Sequence, residues 1–353
     1  MGKVFITGAT GQVGSHLVEY LLENKAMGIE KPEDILCLVR TPQKALHLKS
    51  LRVTIIQGDL NDKSKIMKEF QDPTISTIFH VAANVYVYAS YEEMYEANVL
   101  GTRTLLNCFI KSEIPTFIHT SSIIVYNASA ASSIPEKKNY FEFIETSPIG
   151  TLNPDTEVPY AISKRIAELE VKKFARKYPH KKFIITRLGP IVGRGDRQIV
   201  PSLVKANSIK VPKLINHGQG KLSLTAPDDV ARAQIFLANL EHKNNPEIFN
   251  IANTHLSFNT LFSIVAKFYG KNPPSVSIPL WIFKPIKPLL RLLQKCFPKN
   301  ELMRTFFSAS ALEYLEKTYH YNSDKLLELG FKFQKPIDQA ILEAIQEIEQ
   351  EKK

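Results

Sequence analysis

A doubly wound α/β fold, a parallel sheet with helices on both faces followed by a smaller C-terminal lobe, is what this chain of 353 residues predicts. Three observations carry it. Short apolar runs alternate with amphipathic stretches through the first half, the pattern of a parallel sheet. The first of those runs, Val4-Phe5-Ile6-Thr7, passes straight into Gly8-Ala9-Thr10-Gly11-Gln12-Val13-Gly14. After residue 190 the alternation gives way to shorter elements punctuated by Pro201, Pro212, Pro227, Pro246, Pro273 and Pro274.

Taken in order, the strands are expected at residues 3–7, 34–40, 52–57, 75–82, 116–121 and 182–187, mostly continuous apolar runs of the kind buried on both faces. The first helix follows the glycine turn, with Val13, Leu17, Val18, Leu21 and Leu22 at helical spacing. A long amphipathic helix is expected over 93–112, and another over 159–178, opened by Pro159 in its first turn. Between Tyr126 and Pro159 lies a polar insertion with the aromatic patch Tyr140-Phe141-Glu142-Phe143, a candidate substrate lid. Residues 1–190 make up the expected dinucleotide domain, with a return around 222–240, and residues 191–353 mainly the substrate lobe.

The glycines have separate tasks. Gly8 permits a tight turn, Gly11 lets backbone approach a pyrophosphate, and Gly14 lets the next helix pack closely on the sheet. The helix then turns its positive end toward phosphate, so Thr10, Gln12 and Val13 belong to the same cradle. The spacing, Gly-x-x-Gly-x-x-Gly, differs from the Gly-x-Gly-x-x-Gly dehydrogenase form. The second strand ends in Arg40 with Lys44 four residues on. Cations there suit the 2′-phosphate of NADP, whereas an acid would suit the ribose of NAD; NADP is the expected cofactor and NAD the alternative.

Tyr160-Ala161-Ile162-Ser163-Lys164 carries the chemistry. A phenol of ordinary pKa near 10 is a poor acid at neutral pH. A lysine one helical turn away favours the phenolate and brings proton exchange with an alcohol or ketone within reach, and its ammonium can also hold ribose hydroxyls. On this reading Lys164 lowers the pKa of Tyr160.

These stretches, with Gly58-Asp59-Leu60, His80-Val81-Ala82-Ala83, Asn98-Val99-Leu100-Gly101-Thr102, Thr120-Ser121-Ser122-Ile123-Ile124-Val125-Tyr126, Arg187-Leu188-Gly189-Pro190-Ile191-Val192-Gly193 and Pro227-Asp228-Asp229-Val230-Ala231 in order, resemble the extended branch of the short-chain dehydrogenase/reductase superfamily. That branch includes nucleotide-sugar epimerases, dehydratases, dihydroflavonol reductases and 3β-hydroxysteroid dehydrogenases. The resemblance covers nearly the whole chain and implies a Rossmann fold. It implies that Asp59 bonds the adenine amino group with Leu60 beside the ring, that Ala82 and Ala83 leave room for the cofactor, and that Pro190 adjoins it. Ser122 matches the catalytic Ser/Thr, with Ser121 as the fallback and Asn98 as a supporting residue.

In many sugar-nucleotide members an arginine grips the diphosphate shortly before the Asp-Asp-Val-Ala helix start. Here the turn Gly218-Gln219-Gly220 is followed by a segment two residues shorter, and that position falls on Leu222, with Lys221 beside it. The missing grip, and the resemblance of Tyr321 to Phe331 to the reductase and hydroxysteroid side, point to hydride transfer on an apolar hydroxy or keto substrate: lipid-, steroid- or polyketide-like. The rival is a nucleotide-sugar epimerase or dehydratase using the same Ser-Tyr-Lys site. Thioester reduction and a non-catalytic cofactor sensor are further alternatives.

A net charge of +10 suits an anionic cofactor or membrane surface, but the cations are dispersed and match no nucleic-acid motif. The expected partners are a small-molecule substrate and a second copy of the chain, with no nucleic acid. Cys37, Cys108 and Cys296 form neither a disulfide framework nor a metal spacing, and Cys37 and Cys108 read as buried hydrophobes. The first strand starts at Lys3, which leaves no room for a leader and points to the cytoplasm. The segment 278–297 is apolar but studded with Lys and Arg. It reads either as a roof over an apolar pocket or as a surface-seeking contact with a membrane.

Overall fold

The computed structural model describes residues 2–86, 89–126, 136–137, 140–153, 157–208, 214–241, 244–282, 285 and 318–352. Fourteen strands are found among them: β1 Lys3–Thr7, β2 Ile35–Val39, β3 Thr54–Gln57, β4 Ile75–His80, β5 Thr116–Ser122, β6 Glu136–Lys137, β7 Tyr140–Phe143, β8 Lys182–Leu188, β9 Leu214–Ile215, β10 Lys221–Leu224, β11 Glu247–Ile251, β12 Thr254–Ser257, β13 Ser277–Ile278 and β14 Thr318–Tyr321. Seven of them form the central sheet, in the order β11-β8-β5-β4-β1-β2-β3. Every neighbouring pair in it is parallel.

Chain order reverses at β1, which lies between β4 and β2. That reversal opens a crevice beyond the carboxyl ends of the strands, where ligands of open α/β sheets bind. Alternating side chains explain the two faces. Val4 and Ile6 of β1, Ile35, Cys37 and Val39 of β2, Ile118 of β5 and Ile184 of β8 join one apolar cluster. Phe5, Leu36, Leu38, Phe117, Phe183 and Ile185 join the cluster on the other face, as the two-residue period of a strand demands. Cys37 and Cys108 are buried within these cores as free thiols.

The six expected strands are all present, each within three residues of its expected ends. The seventh, β11, went unforeseen: Phe249, Asn250 and Ile251 are an interrupted apolar run in a region read as lobe, yet they pair with Thr186, Arg187 and Leu188 of β8. The expected 93–112 helix starts at Tyr91 and ends at Phe109, and its middle, Tyr95–Leu100, is π-helical. The Pro159–Lys177 helix agrees with its expected span.

A third apolar core, built from Val192, Leu203, Leu224, Leu261, Phe262 and Ile341 among others, gathers the Ile199–Ser208, Phe258–Phe268 and Ile337–Glu351 helices. A fourth, smaller cluster is mostly aromatic: Tyr126, Phe143, Tyr319 and Tyr321 with Ile123, Val125 and Ala252. The aromatic patch expected in a lid therefore has an anchoring position. Phe143 of β7 stacks on Tyr321 of β14 at 5.3 Å between ring centroids, and β7 pairs in parallel with β14. Much of the insertion, residues 127–135, 138–139 and 154–156, and most of the 278–297 segment lie outside the described residues.

Candidate active site

The glycine turn leaves β1 as expected. Gly8 has φ +76°, a conformation favouring glycine, and a Cβ there would sit 2.6 Å from the Ala82 amide. A Cβ on Gly14 would meet the Gly8 carbonyl and Ala9 Cα, so the Gln12–Glu23 helix packs this tightly only with glycine. Beside Gly11 a Cβ would meet only the Gly8 carbonyl, at 3.3 Å, which leaves its outer side open to a ligand. The residues thus fit a dinucleotide phosphate: a cradle closed toward the protein and open outward, at a helix start that favours anions.

Around the cradle, the Thr7 hydroxyl accepts from the Ala82 amide at 3.2 Å and bonds His80 Nδ1 at 2.8 Å. Thr102 donates to the Asn98 carbonyl at 2.6 Å, so His80 Nε2, 2.8 Å from the Thr102 hydroxyl, carries the proton and donates. Burial holds His80 well below the usual imidazole pKa, with His119 and Lys164 adding to the effect. A neutral imidazole thereby fixes the loop in which Ala82 and Ala83 lie. Asp59 Oδ1 accepts from the Asn61 amide at 3.0 Å and so shapes its own turn, while Leu60 packs on Gly101. Arg40 and Lys44 are both exposed just beyond β2. Across the cradle, the Gln12 side-chain amide donates to the carbonyls of Gly193 and Arg194 at 3.3 and 3.2 Å. Pro190 accepts from the Thr225 amide at 3.0 Å where β8 runs out.

Ser122 ends β5, and Tyr160 stands in the first turn of the Pro159–Lys177 helix. The Ser122 hydroxyl acts on the Tyr160 phenol and favours its ionised form. Ser122 Oγ also accepts from the Ile124 amide at 3.2 Å, leaving its proton free to donate. Ser121 cannot share that role, because its hydroxyl is given at 2.7 Å to the buried Glu168. Lys164 is buried and donates to the Thr120 carbonyl at 2.8 Å, tying the helix to the same strand end. Burial lowers it to about 8, with the Glu168 carboxylate pulling the other way.

The expected lowering of Tyr160 is not what the structure shows. Burial pushes the phenol up to about 12, opposed only by the hydrogen bond with Ser122. The lysine ammonium is directed to the Thr120 carbonyl, and desolvation of the phenol outweighs the Ser122 interaction. Asn98 supports from the side. Its amide donates to Asn84 O and Ser163 Oγ, both at 3.0 Å, and its oxygen accepts from the Asn84 amide at 2.6 Å.

Sequence reasoning missed the buried polar frame underneath. Glu168 accepts from Arg187 through both oxygens at 2.9 and 2.8 Å. Arg187 also donates to the Tyr126 hydroxyl and the Glu145 carbonyl, and Tyr126 donates to Asn250 Oδ1 at 2.9 Å. Burial alone would raise Glu168, but Arg187 overrides it and holds the carboxyl below its usual range. Arg165, the residue after Lys164, is fully buried and donates to the carbonyls of Val125, Ile124 and Thr151 at 2.8, 3.2 and 2.5 Å. It also pairs with Glu157 at 3.1 Å. Gln234 reaches from the Pro227–Asn239 helix to the hydroxyls of Thr120 and Thr186 at 2.8 and 3.1 Å. Two signals were available: an arginine inside the apolar run Phe183-Ile184-Ile185-Thr186-Arg187, and a glutamate four residues past Lys164 on the same helix face.

Comparison with known proteins agrees with this geometry. Residues 4–252 match the NAD dependent epimerase/dehydratase family. The chain is 25% identical over 362 residues to 3beta-hydroxysteroid-dehydrogenase/decarboxylase isoform 2 of Arabidopsis thaliana, in an alignment covering 96% of this chain and 61% of that longer protein. It is also 25% identical over 361 residues to dTDP-D-glucose 4,6-dehydratase of Mus musculus, covering 98% and 88%. Among solved structures, UDP-glucuronic acid 4-epimerase from Bacillus cereus in complex with NAD superposes with a TM-score of 0.73 at 20% identity, over 99% of this chain and 100% of that one. That likeness speaks for the shared fold. The chain belongs to the NAD dependent epimerase/dehydratase family and is an enzyme of the extended short-chain dehydrogenase/reductase type, with steroid-dehydrogenase-like relatives.

Proposed function

From that membership we propose that the protein is a nicotinamide-dependent oxidoreductase that interconverts a hydroxyl and a ketone on an apolar, lipid-, steroid- or polyketide-like substrate. The observation that carries the redox reading is the Ser122–Tyr160 pair at the carboxyl end of β5, in the same parallel sheet as the glycine turn, with Lys164 one turn away. The bound cofactor gives or takes the hydride. Tyr160 is the proton donor or acceptor at the substrate oxygen. Its phenol, held neutral by burial, is poised to donate toward an oxygen gaining negative charge. Ser122 keeps the substrate oxygen and the phenol in register, and Lys164 fixes the strand end that carries Ser122. Lys164 is the residue that would hold the cofactor's ribose hydroxyls, and its positive charge would favour the ionised form of a nearby phenol.

Support for an apolar substrate comes from Leu222, at the position of the diphosphate grip, which packs against the apolar core of the lobe. Support for NADP comes from the exposed pair Arg40 and Lys44, which can meet a 2′-phosphate. The nucleotide-sugar alternative keeps the weight of relatives such as the mouse dehydratase. Net cofactor turnover separates the two, since a sugar epimerase or dehydratase regenerates its cofactor in each cycle. The test is continuous NADPH oxidation against keto-steroids, keto-lipids and UDP-sugars. Stoichiometric oxidation with an apolar ketone is expected. Conversion of a UDP-sugar without net oxidation would overturn the apolar reading, and tighter binding of NADH than NADPH would overturn the cofactor assignment.

A further inference from the structure

The net charge of this chain is unevenly distributed. Residues 248–300 hold Lys267, Lys271, Lys284, Lys287, Arg291, Lys295 and Lys299 but none of the 35 Asp and Glu, so seven of the ten net positive charges fall in one stretch. Within the described part of that stretch, apolar side chains turn outward: Phe268 is 36% exposed, Val276 60%, Trp281 70% and Ile282 40%. Lys267 and Lys271 are exposed among them. Trp281 is the only tryptophan in the chain.

The backbone beneath these side chains is held in place. β13 pairs in parallel with β9, and Ser277 Oγ accepts from the His217 amide at 2.7 Å. The apolar tips therefore project from a segment anchored on the lobe. Large apolar groups left in water mark an interaction surface. The chemistry of the surroundings selects its partner: the stretch itself contributes cations and no acid, and the neighbouring Glu349 of the C-terminal helix is engaged by the Tyr269 hydroxyl and Lys352; such cations are attracted to anionic headgroups, while tryptophan and aliphatic side chains favour the layer just below. Among the described residues no helix is long and apolar enough to cross a membrane, so a contact through them is peripheral. We infer that residues 267–282 form a docking surface for an anionic lipid membrane. The inference is independent of the active-site reading, and either can fail alone.

The single tryptophan provides the test. Full-length protein is sedimented with vesicles of phosphatidylcholine, and with vesicles also containing about 30% phosphatidylserine, at low and high salt, while Trp281 emission is recorded. Binding is expected only to the anionic vesicles, with a shift of emission to shorter wavelength and release by salt as screening sets in. Trp281→Ser, and separately the pair Lys267→Glu and Lys271→Glu, should each weaken binding roughly tenfold. Both variants should bind cofactor as the parent does, which shows that they are folded. Absence of binding, equal binding to both vesicle types, binding that leaves Trp281 emission unmoved, or wild-type binding by Trp281→Ser would each overturn the inference.

Discussion

The two halves of the central sheet are held by different forces. Around β1 and β2 the interior is apolar on both faces, and the buried Thr7, His80 and Thr102 bond one another. Around β5 and β8 the interior carries charge: Glu168 on Arg187, Lys164 on the Thr120 carbonyl, Arg165 on three carbonyls. On the proposed function, the difference follows from what each half would do. A dinucleotide is received by shape and by backbone, which glycine and close apolar packing provide. A proton-transfer pair needs its oxygens held in place, which buried, directional bonds provide at the cost of desolvation.

The sharpest way to break this comparison is to remove one partner of the buried ion pair. Glu168→Leu leaves the Arg187 guanidinium buried and uncompensated and should cost about 3–5 kcal/mol. Adding Arg187→Met should recover much of that loss while activity stays low, because the end of β5 loses its frame. Urea unfolding of the three proteins checks this; a Glu168→Leu loss below that of an ordinary apolar truncation in β1 would erase the distinction between the halves.

Arg165 comes next. Arg165→Met leaves the carbonyls of Ile124, Val125 and Thr151 without their donor and loosens the turn after Ser122. Turnover should fall roughly 10- to 100-fold, as misplacement of a reacting group does, with cofactor affinity unchanged and partial recovery in Arg165→Lys. Equal loss of cofactor affinity would mean that the residue supports the whole fold rather than the catalytic half.

The smallest effect concerns the histidines. Burial holds His80 and His119 well below the ordinary imidazole value, and His255 falls to about 4, burial again leading and His320 adding. Each is neutral when folded and takes up a proton on unfolding below about 6.5. Stability from this source is therefore complete above that pH and declines as pH falls toward 4. The urea midpoint should be lower at pH 5 than at pH 7. Both ring nitrogens of His119 are buried without a partner among the described residues, so His119→Leu should be neutral or stabilising at pH 7 and should flatten the pH dependence. A large loss in that variant would reveal an unrecognised partner.

The same contrast decides how much was legible in the sequence. The cofactor half announces itself through a strand, a glycine turn and a helix, since each glycine answers a local steric need such as the approach of Gly8 to Ala82. Tyr160 and Lys164 were legible because four residues on a helix is a fixed distance. The frame around them was not: Glu168 meets Arg187 across 19 positions, and Tyr126 meets Asn250 across 124. Residues so far apart meet only once the sheet order is known, and β11, which carries Asn250, lay hidden in an interrupted apolar run. The direction of the Tyr160 shift also escaped, because spacing gives proximity to Lys164 but not the Thr120 carbonyl that occupies its ammonium.

The central claim, that the charged half of the sheet exists to hold a proton-transfer phenol, is tested most directly by Tyr160→Phe. With cofactor affinity and turnover measured on the same preparation and an accepted ketone, the account predicts unchanged cofactor binding and turnover reduced by roughly 10²–10⁴. Wild-type turnover in that variant would contradict it.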